Sequence, residues 1–224
     1  MSDIGGSIFI LNSITSDMLR RSKVIKGLTK DLNNANTEDE KDMILGIWKA
    51  LYFSDIIDIK SFQDEYNDYF GVRTEIKYKK RVLKLKQILK PLMTKVSLWR
   101  DIEKARNIAA HNKRIQKNSY LSVFSDNSIY NWNIPTGHAE LFFISSLLNI
   151  ISSVIKIEFW DEYEAYSKQL HNNEYQSRKQ INMTLQTAKA ELHILCEALN
   201  KDLEKEGKPY KLNISTEIDN LFGS

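Results

Sequence analysis

At 224 residues, with 42% hydrophobic and 27% charged residues, the chain has an ordinary globular composition. It is long enough for one large helical domain or for one domain with a helical arm. Eight Gly and three Pro are too few for a sandwich or barrel that must turn about every ten residues, so an all-α fold is expected. A single cysteine, Cys196, excludes an intramolecular disulfide framework and fits a reducing cytoplasm. The net charge is only +3, but it is segregated. Residues 31–70 hold ten acids against Lys41, Lys49 and Lys60, whereas residues 76–100 hold nine basic residues and no acid. Such a basic run serves either as the footprint of a polyanion or as the neutralising neighbour of the acidic run.

Taken in chain order, a first helix is expected from about Ser7 to Leu32, closed by the turn-like Asn33-Asn34-Ala35-Asn36. The apolar run Ile8–Leu11 is too short for a secretory leader. Thr37-Glu38-Asp39-Glu40 has the residues of a capping box, with Glu three positions after the cap. The helix that follows carries Ile44, Ile47, Trp48, Leu51, Ile56 and Ile59 at helical spacing, and its aromatic end, Tyr66, Tyr69 and Phe70, meets a natural stop at Gly71. A basic helix over Thr74–Lys90 is expected to bury Val82, Leu85 and Leu89. Pro91 suits the first turn of a new helix, which would then run to about Lys113; a kink in one long helix is the alternative. Residues 118–135 change pattern and are compatible with a short β-hairpin around Ser125-Asp126-Asn127-Ser128. Thr136 can cap a long helix from about Ala139 to Leu170, and a last helix is expected from about Glu174 to Glu206. The apolar stretch Leu141–Trp160 is interrupted by four serines, Asn149, Lys156 and Glu158, so it reads as a buried bundle helix rather than a membrane span.

On a wheel of about 100° per residue, a helix from Pro91 to Lys113 places Leu92, Val96, Trp99, Ile102, Ala109 and Ala110 in one apolar stripe. Arg106 falls inside that stripe and Asn107 at its edge. A guanidinium on a buried face needs a partner; Glu103, a backbone carbonyl or a ligand would each serve. His111 follows Asn107 by four residues, the spacing at which helix side chains meet. Ala105, Ala109 and Ala110 remove bulk around these polar groups and would let another helix approach closely.

The segment Arg106-Asn107-Ile108-Ala109-Ala110-His111 resembles the R-x(4–6)-H motif of the HEPN superfamily, in its form with a polar residue after the Arg. The surrounding Asn107–Asn112 run is most similar to HEPN proteins of the abortive-infection and toxin groups. The motif covers six residues, and the helical resemblance extends over residues 7–170. The final helix, less readily matched, is expected at 171–207 packed on the bundle, with a tail at 208–224, while the resemblance implies a HEPN-like bundle at 7–170. It also implies a homodimer whose two motifs form a composite site and a metal-independent endoribonuclease without cofactor. The products would be 2′,3′-cyclic phosphate and 5′-hydroxyl ends. By the same resemblance His111 acts as general base or acid, Arg106 stabilises charge at phosphorus, and Asn107 orients His111 or the phosphate. A cytoplasmic toxin or anti-phage effector, held by an antitoxin or other regulatory partner, is the implied role. A non-catalytic HEPN module binding a protein or nucleotide is the alternative. Some HEPN toxins carry Tyr two residues after the motif His, where a paired nucleotidyltransferase modifies it; Lys113 stands there in this chain, which puts that form of control in doubt.

Lys79, Lys80 and Lys84 of the basic helix, with Lys113 and Arg114 after the motif, are the candidate RNA contacts. His138, His171 and His193 are scattered without metal-ligand spacing. His138 reads as a solvated residue at a helix start, and Cys196 as a core residue. Tyr130 and Trp132 either stack on bases or pack their insert onto the bundle.

Overall fold

A computed structural model of the chain describes residues 3–111, 132–135, 137–174 and 184–205. The regular elements among them are all helical, as the scarcity of Gly and Pro requires. They are α1 (Ile4–Asn34), α2 (Glu38–Asp64), α3 (Lys79–Val96), α4 (Ile102–His111), α5 (His138–Glu158), α6 (Trp160–Glu174) and α7 (Leu185–Lys205). A π-helical run, Glu65–Val72, extends α2, and a short 3-10 turn, Ile76–Tyr78, leads into α3. The chain divides into two compact units between Asn173 and Glu174. The 118–131 part of the expected hairpin lies outside the described residues.

α1 is the organising helix of the first unit and packs on both α2 and α5. Its buried positions Ile4, Ile8, Leu11, Thr15, Met18, Ser22 and Ile25 alternate by four and three, the spacing of a two-helix seam. α5 answers with Leu141, Ile144, Ser145, Leu148, Ile151, Ser152 and Ile155. α5 is also the one described helix long and apolar enough to cross a membrane. Gly5, at the start of α1, permits a close approach to α6: a Cβ there would lie 2.5 Å from the Glu162 carbonyl oxygen.

α2 begins with the capping box expected from its sequence. Thr37 accepts from the Glu40 amide, and Glu40 accepts from the Thr37 amide. The aromatic end of α2 does not stop at Gly71 but continues as π-helix to Val72. Phe62, Tyr66 and Phe70 stack along it at ring separations of 6.3 and 6.1 Å, and Phe70 meets Phe159 edge-on at 5.8 Å. A Cβ at Gly71 would stand 3.1 Å from the Tyr66 carbonyl oxygen and would displace the tip of Lys86, 2.5 Å away.

α3 buries Val82, Leu85 and Leu89, as its periodicity demands, but it runs through Pro91 to Val96. Pro91 is exposed and costs the helix one backbone donor without ending it. The break falls at 97–101 and is held from 33 residues further on. Asn133 Oδ1 accepts from the Arg100 amide at 2.8 Å, the Asn133 amide donates to Asp101 Oδ2 at 2.8 Å, and the Asp101 amide donates to the Asn133 carbonyl at 3.1 Å. Ile134 beside this clamp is buried in the core. Two further boundaries differ from expectation. Gly137 is the N-cap of α5, in place of Thr136, and the long helix divides at Phe159, whose ψ of 41° leaves the helical region and ends α5.

Candidate active site on the motif helix

Because α4 starts at Ile102 rather than Pro91, the motif sits on a short helix with its own phase. Ile102, Ala105 and Ile108 are buried, and α4 packs on α2. Ala105 is thereby used within the chain, letting α4 approach α2, and is not free to receive a second copy. Arg106 is not in the buried stripe as the continuous wheel suggested. Its side chain is 31% exposed, and Asn107 is exposed. The backbone of α4 reaches His111, while the side chains of Ala109, Ala110 and His111 lie outside the described residues, as do Lys113 and Arg114 entirely.

Arg106 finds its partner on α2. Its Nη2 lies 3.4 Å from Asp64 Oδ2, while the other carboxylate oxygen, Oδ1, takes Lys60 Nζ at 2.5 Å. Lys60 also stands 3.5 Å from Glu103 of α4. Burial works against the Lys60 ammonium, but Asp64 and Glu103 together hold its pKa above the ordinary lysine value. Two cations and two carboxylates thus join the end of α2 to α4, and the cluster is neutral. From Arg106 to His111 the helix turns through about 140° and rises about 7.5 Å. The two positions therefore lie on different faces of α4, whereas positions 107 and 111 share one.

The candidate RNA-binding lysines of α3 are all exposed, but they do not share one face. Lys79 lines a groove between α3 and the π-helical run, together with Lys86 and Lys90, which the basic run alone did not single out. Lys80 and Lys84 point about 100–140° further round the helix. Arg81 is absorbed by packing: its Nε reaches Glu158 Oε1 at 2.8 Å and its guanidinium lies 4.2 Å from the Phe159 ring centre. Trp132 is partly buried against the core beneath Lys104, whose Nζ is 3.9 Å from the ring centre. Its role is packing. Tyr130 lies outside the described residues.

A second polar cluster was not foreseen. Arg21 of α1 donates from Nε to Asp55 Oδ1 at 2.7 Å and also holds Asp58. One guanidinium serves two carboxylates, and Asp55, only 1% exposed, keeps Oδ2 without a described hydrogen-bond partner. Burial pushes the Asp55 carboxyl up to about 6 despite Arg21, and pushes Asp58 upward as well. Asp55 stands in the apolar run Leu51–Ile59, which is the one sequence hint of a buried acid. His138 is half-buried rather than solvated, with Nε2 3.4 Å from Ser22 Oγ, and its charge acts on Asp55. Cys196, on α7, is half-buried rather than a core residue. Among the described residues no three His, Cys, Asp or Glu side chains gather as metal ligands.

The raised Asp55 value has a testable sign. The folded chain binds more protons than the unfolded chain between the ordinary aspartate value and about 6, so stability falls as pH rises through that window. The denaturant midpoint is expected to increase on acidification from neutrality toward pH 5, and Asp55→Asn to remove most of that increase. A wild-type midpoint that drops over the same window, or an Asp55→Asn protein with an unchanged slope, would refute this.

Compared with protein-family models, with curated proteins and with solved structures, the chain matches none.

Proposed function

We propose that the protein is a metal-independent endoribonuclease of HEPN type that acts as a toxin or anti-phage effector. The observation that carries the reading is the setting of Arg106. It stands on the surface of α4, beside exposed Asn107 and on the helix that ends at His111, and its only described ion pair is a long contact with a part-exposed carboxylate. An exposed pair of this kind is worth about 0–1 kcal/mol, so an RNA phosphate can displace Asp64 from the guanidinium at little cost. His111 then takes the proton from a ribose 2′-hydroxyl, whose oxygen attacks the adjacent phosphorus. The 5′-oxygen leaves as it takes a proton from water, and a 2′,3′-cyclic phosphate remains. Arg106 stabilises the charge that builds on the equatorial oxygens, and imidazole suits proton transfer near neutrality. Motif positions on different faces of one helix favour a homodimer, in which the Arg of one copy serves with the His of the other.

Cleavage of total RNA by the purified protein is expected to survive EDTA and to leave cyclic-phosphate ends. Activity abolished by EDTA and restored by a divalent ion would overturn the mechanism. One observation favours the second reading, a non-catalytic HEPN module that binds a protein or nucleotide: the Lys60–Asp64–Glu103–Arg106 cluster is neutral rather than basic. Phosphate-end chemistry in the EDTA experiment decides between them.

A further inference from the structure

α3 presents three faces. Val82, Leu85, Leu89 and Val96 enter the core. About 100° to one side, Lys79, Leu83, Lys86, Lys90 and Met93 follow one another by four, three, four and three residues and form one wall of a groove of about 590 Å³. Lys80, Lys84 and Lys95 occupy the remaining outward face. The opposite wall of the groove is the π-helical run, contributing Tyr66, Asn67, Gly71 and Val72. π-helical segments of this kind recur at functional sites.

The groove combines apolar walls with cations that form no ion pair among the described residues. Leu83 is 60% exposed and Val72 72% exposed, both far more than a helix interior would leave open. Lys79, Lys86 and Lys90 form no ion pair with any described residue. Lys86 is the informative one. It enters over Gly71, donates to the Tyr66 carbonyl at 3.0 Å, and lies 4.5 Å from the Tyr66 ring centre. Burial lowers its ammonium below the ordinary lysine value, with only a distant Asp68 in its favour. A partly desolvated ammonium holding one carbonyl has donors left for an anion.

The position of the groove ties it to the motif. The six residues 73–78 join the π-helical run to α3, the two walls of the groove. Asp64, which holds Arg106, precedes Asn67 by three residues on the same helical run. The wall that carries Asn67 is therefore continuous along the chain with the residue that holds Arg106.

We infer that this groove is the track for the single-stranded RNA flanking the cut site. Lys79, Lys86 and Lys90 would take successive backbone phosphates, and Val72, Leu83 and Met93 would meet the bases. This rests on the endoribonuclease reading and names the substrate's path into that site. A charge repeat spanning about 16 Å along one helix suits a polyphosphate backbone. The flat apolar surfaces between the charges tolerate any base, so the track contributes affinity rather than sequence choice.

The test uses the full-length His111→Ala protein, so that RNA stays intact, and a labelled single-stranded oligoribonucleotide titrated at several salt concentrations. Replacing Lys79, Lys86 and Lys90 together with Gln should weaken binding and flatten the log–log salt slope by about 2, at roughly 0.7 per phosphate contact. Replacing the exposed Lys23, Lys26 and Lys30 of α1 with Gln removes the same charge from another helix and should leave the slope within error of the parent. Equal losses in the two triple variants, no loss in the groove variant, or no RNA binding at all would overturn the track. So would a polyglutamate peptide that competes as well as RNA, since that outcome assigns the groove to an acidic protein partner. In the His111-containing protein the groove variant should raise KM and spare kcat. A groove slope that behaves as expected in a protein without cleavage would retain the track while removing the nuclease reading.

Discussion

Replacing His111 with Ala is expected to lower RNA cleavage by about 10²–10⁴, the contribution of one positioned general acid or base. The expected loss is in kcat, because an imidazole that moves protons acts in the transition state and adds little to binding the ground state. The control that gives the result meaning is thermal stability matched to the parent, together with growth arrest in cells scored for both proteins. Arg106→Ala should also abolish cleavage, but it additionally leaves Asp64 with Lys60 alone, so it is the less clean variant. The two variants gain force when mixed. If the site is shared between copies, a mixture of Arg106→Ala and His111→Ala proteins forms heterodimers in which one of the two sites carries both an Arg and a His. Partial recovery of activity on mixing is then expected. Full activity in folded His111→Ala protein would end the catalytic reading, and a mixture as silent as its components would end the composite site.

The second large effect concerns stability. Arg21→Ala is expected to cost about 3–5 kcal/mol, the range for removing one partner of a buried charge pair. The reason is arithmetical. Among the described residues Arg21 is the one guanidinium on Asp55 and Asp58, and Asp55 is only 1% exposed. Without Arg21 its carboxyl takes up a proton at still higher pH, so the variant should recover much of its stability on acidification below about 6. Replacing Arg21 with Met and Asp55 with Leu together should cost less than Arg21→Ala alone, because no orphaned charge is left behind. Urea unfolding of the three proteins at two pH values measures this. An Arg21→Ala protein within experimental error of the parent would show that the cluster carries no net stability.

The parts of this fold that were legible in the sequence are those whose causes are local. Thr37 and Glu40 lie three residues apart and satisfy each other's backbone groups, so the start of α2 needed no tertiary knowledge. Val82, Leu85 and Leu89 announced the core face of α3 by period alone. The misread parts have distant causes. Pro91 looked like a helix start, yet the turn that separates α3 from α4 is made by Asn133, which no window around residues 97–101 contains. That one error carried Arg106 onto a buried stripe, when the independent phase of α4 leaves it part-exposed beside Asp64 of α2. The groove was hidden for a similar reason. A run of nine basic residues gave charge without direction, and only packing Val82 and Leu85 inward separates Lys79, Lys86 and Lys90 from Lys80 and Lys84. Asp55 and Arg21 lie 34 residues apart and declare themselves only once α1 and α2 are side by side.

The Asn133 clamp also bears on when the turn before the motif helix closes. Arg100 and Asp101 are translated well before the residue that closes their turn, and the loop between them must pay its closure entropy before three hydrogen bonds return it. A growing chain that has emerged only as far as His111 therefore holds α4 on α2 by packing and ion pairs alone, with the turn before it still unclamped. For a protein read as cutting RNA, and synthesised on RNA, the order is favourable: the clamp that closes the start of the motif helix arrives after the motif, so competence would follow completion of the bundle rather than appearance of the motif.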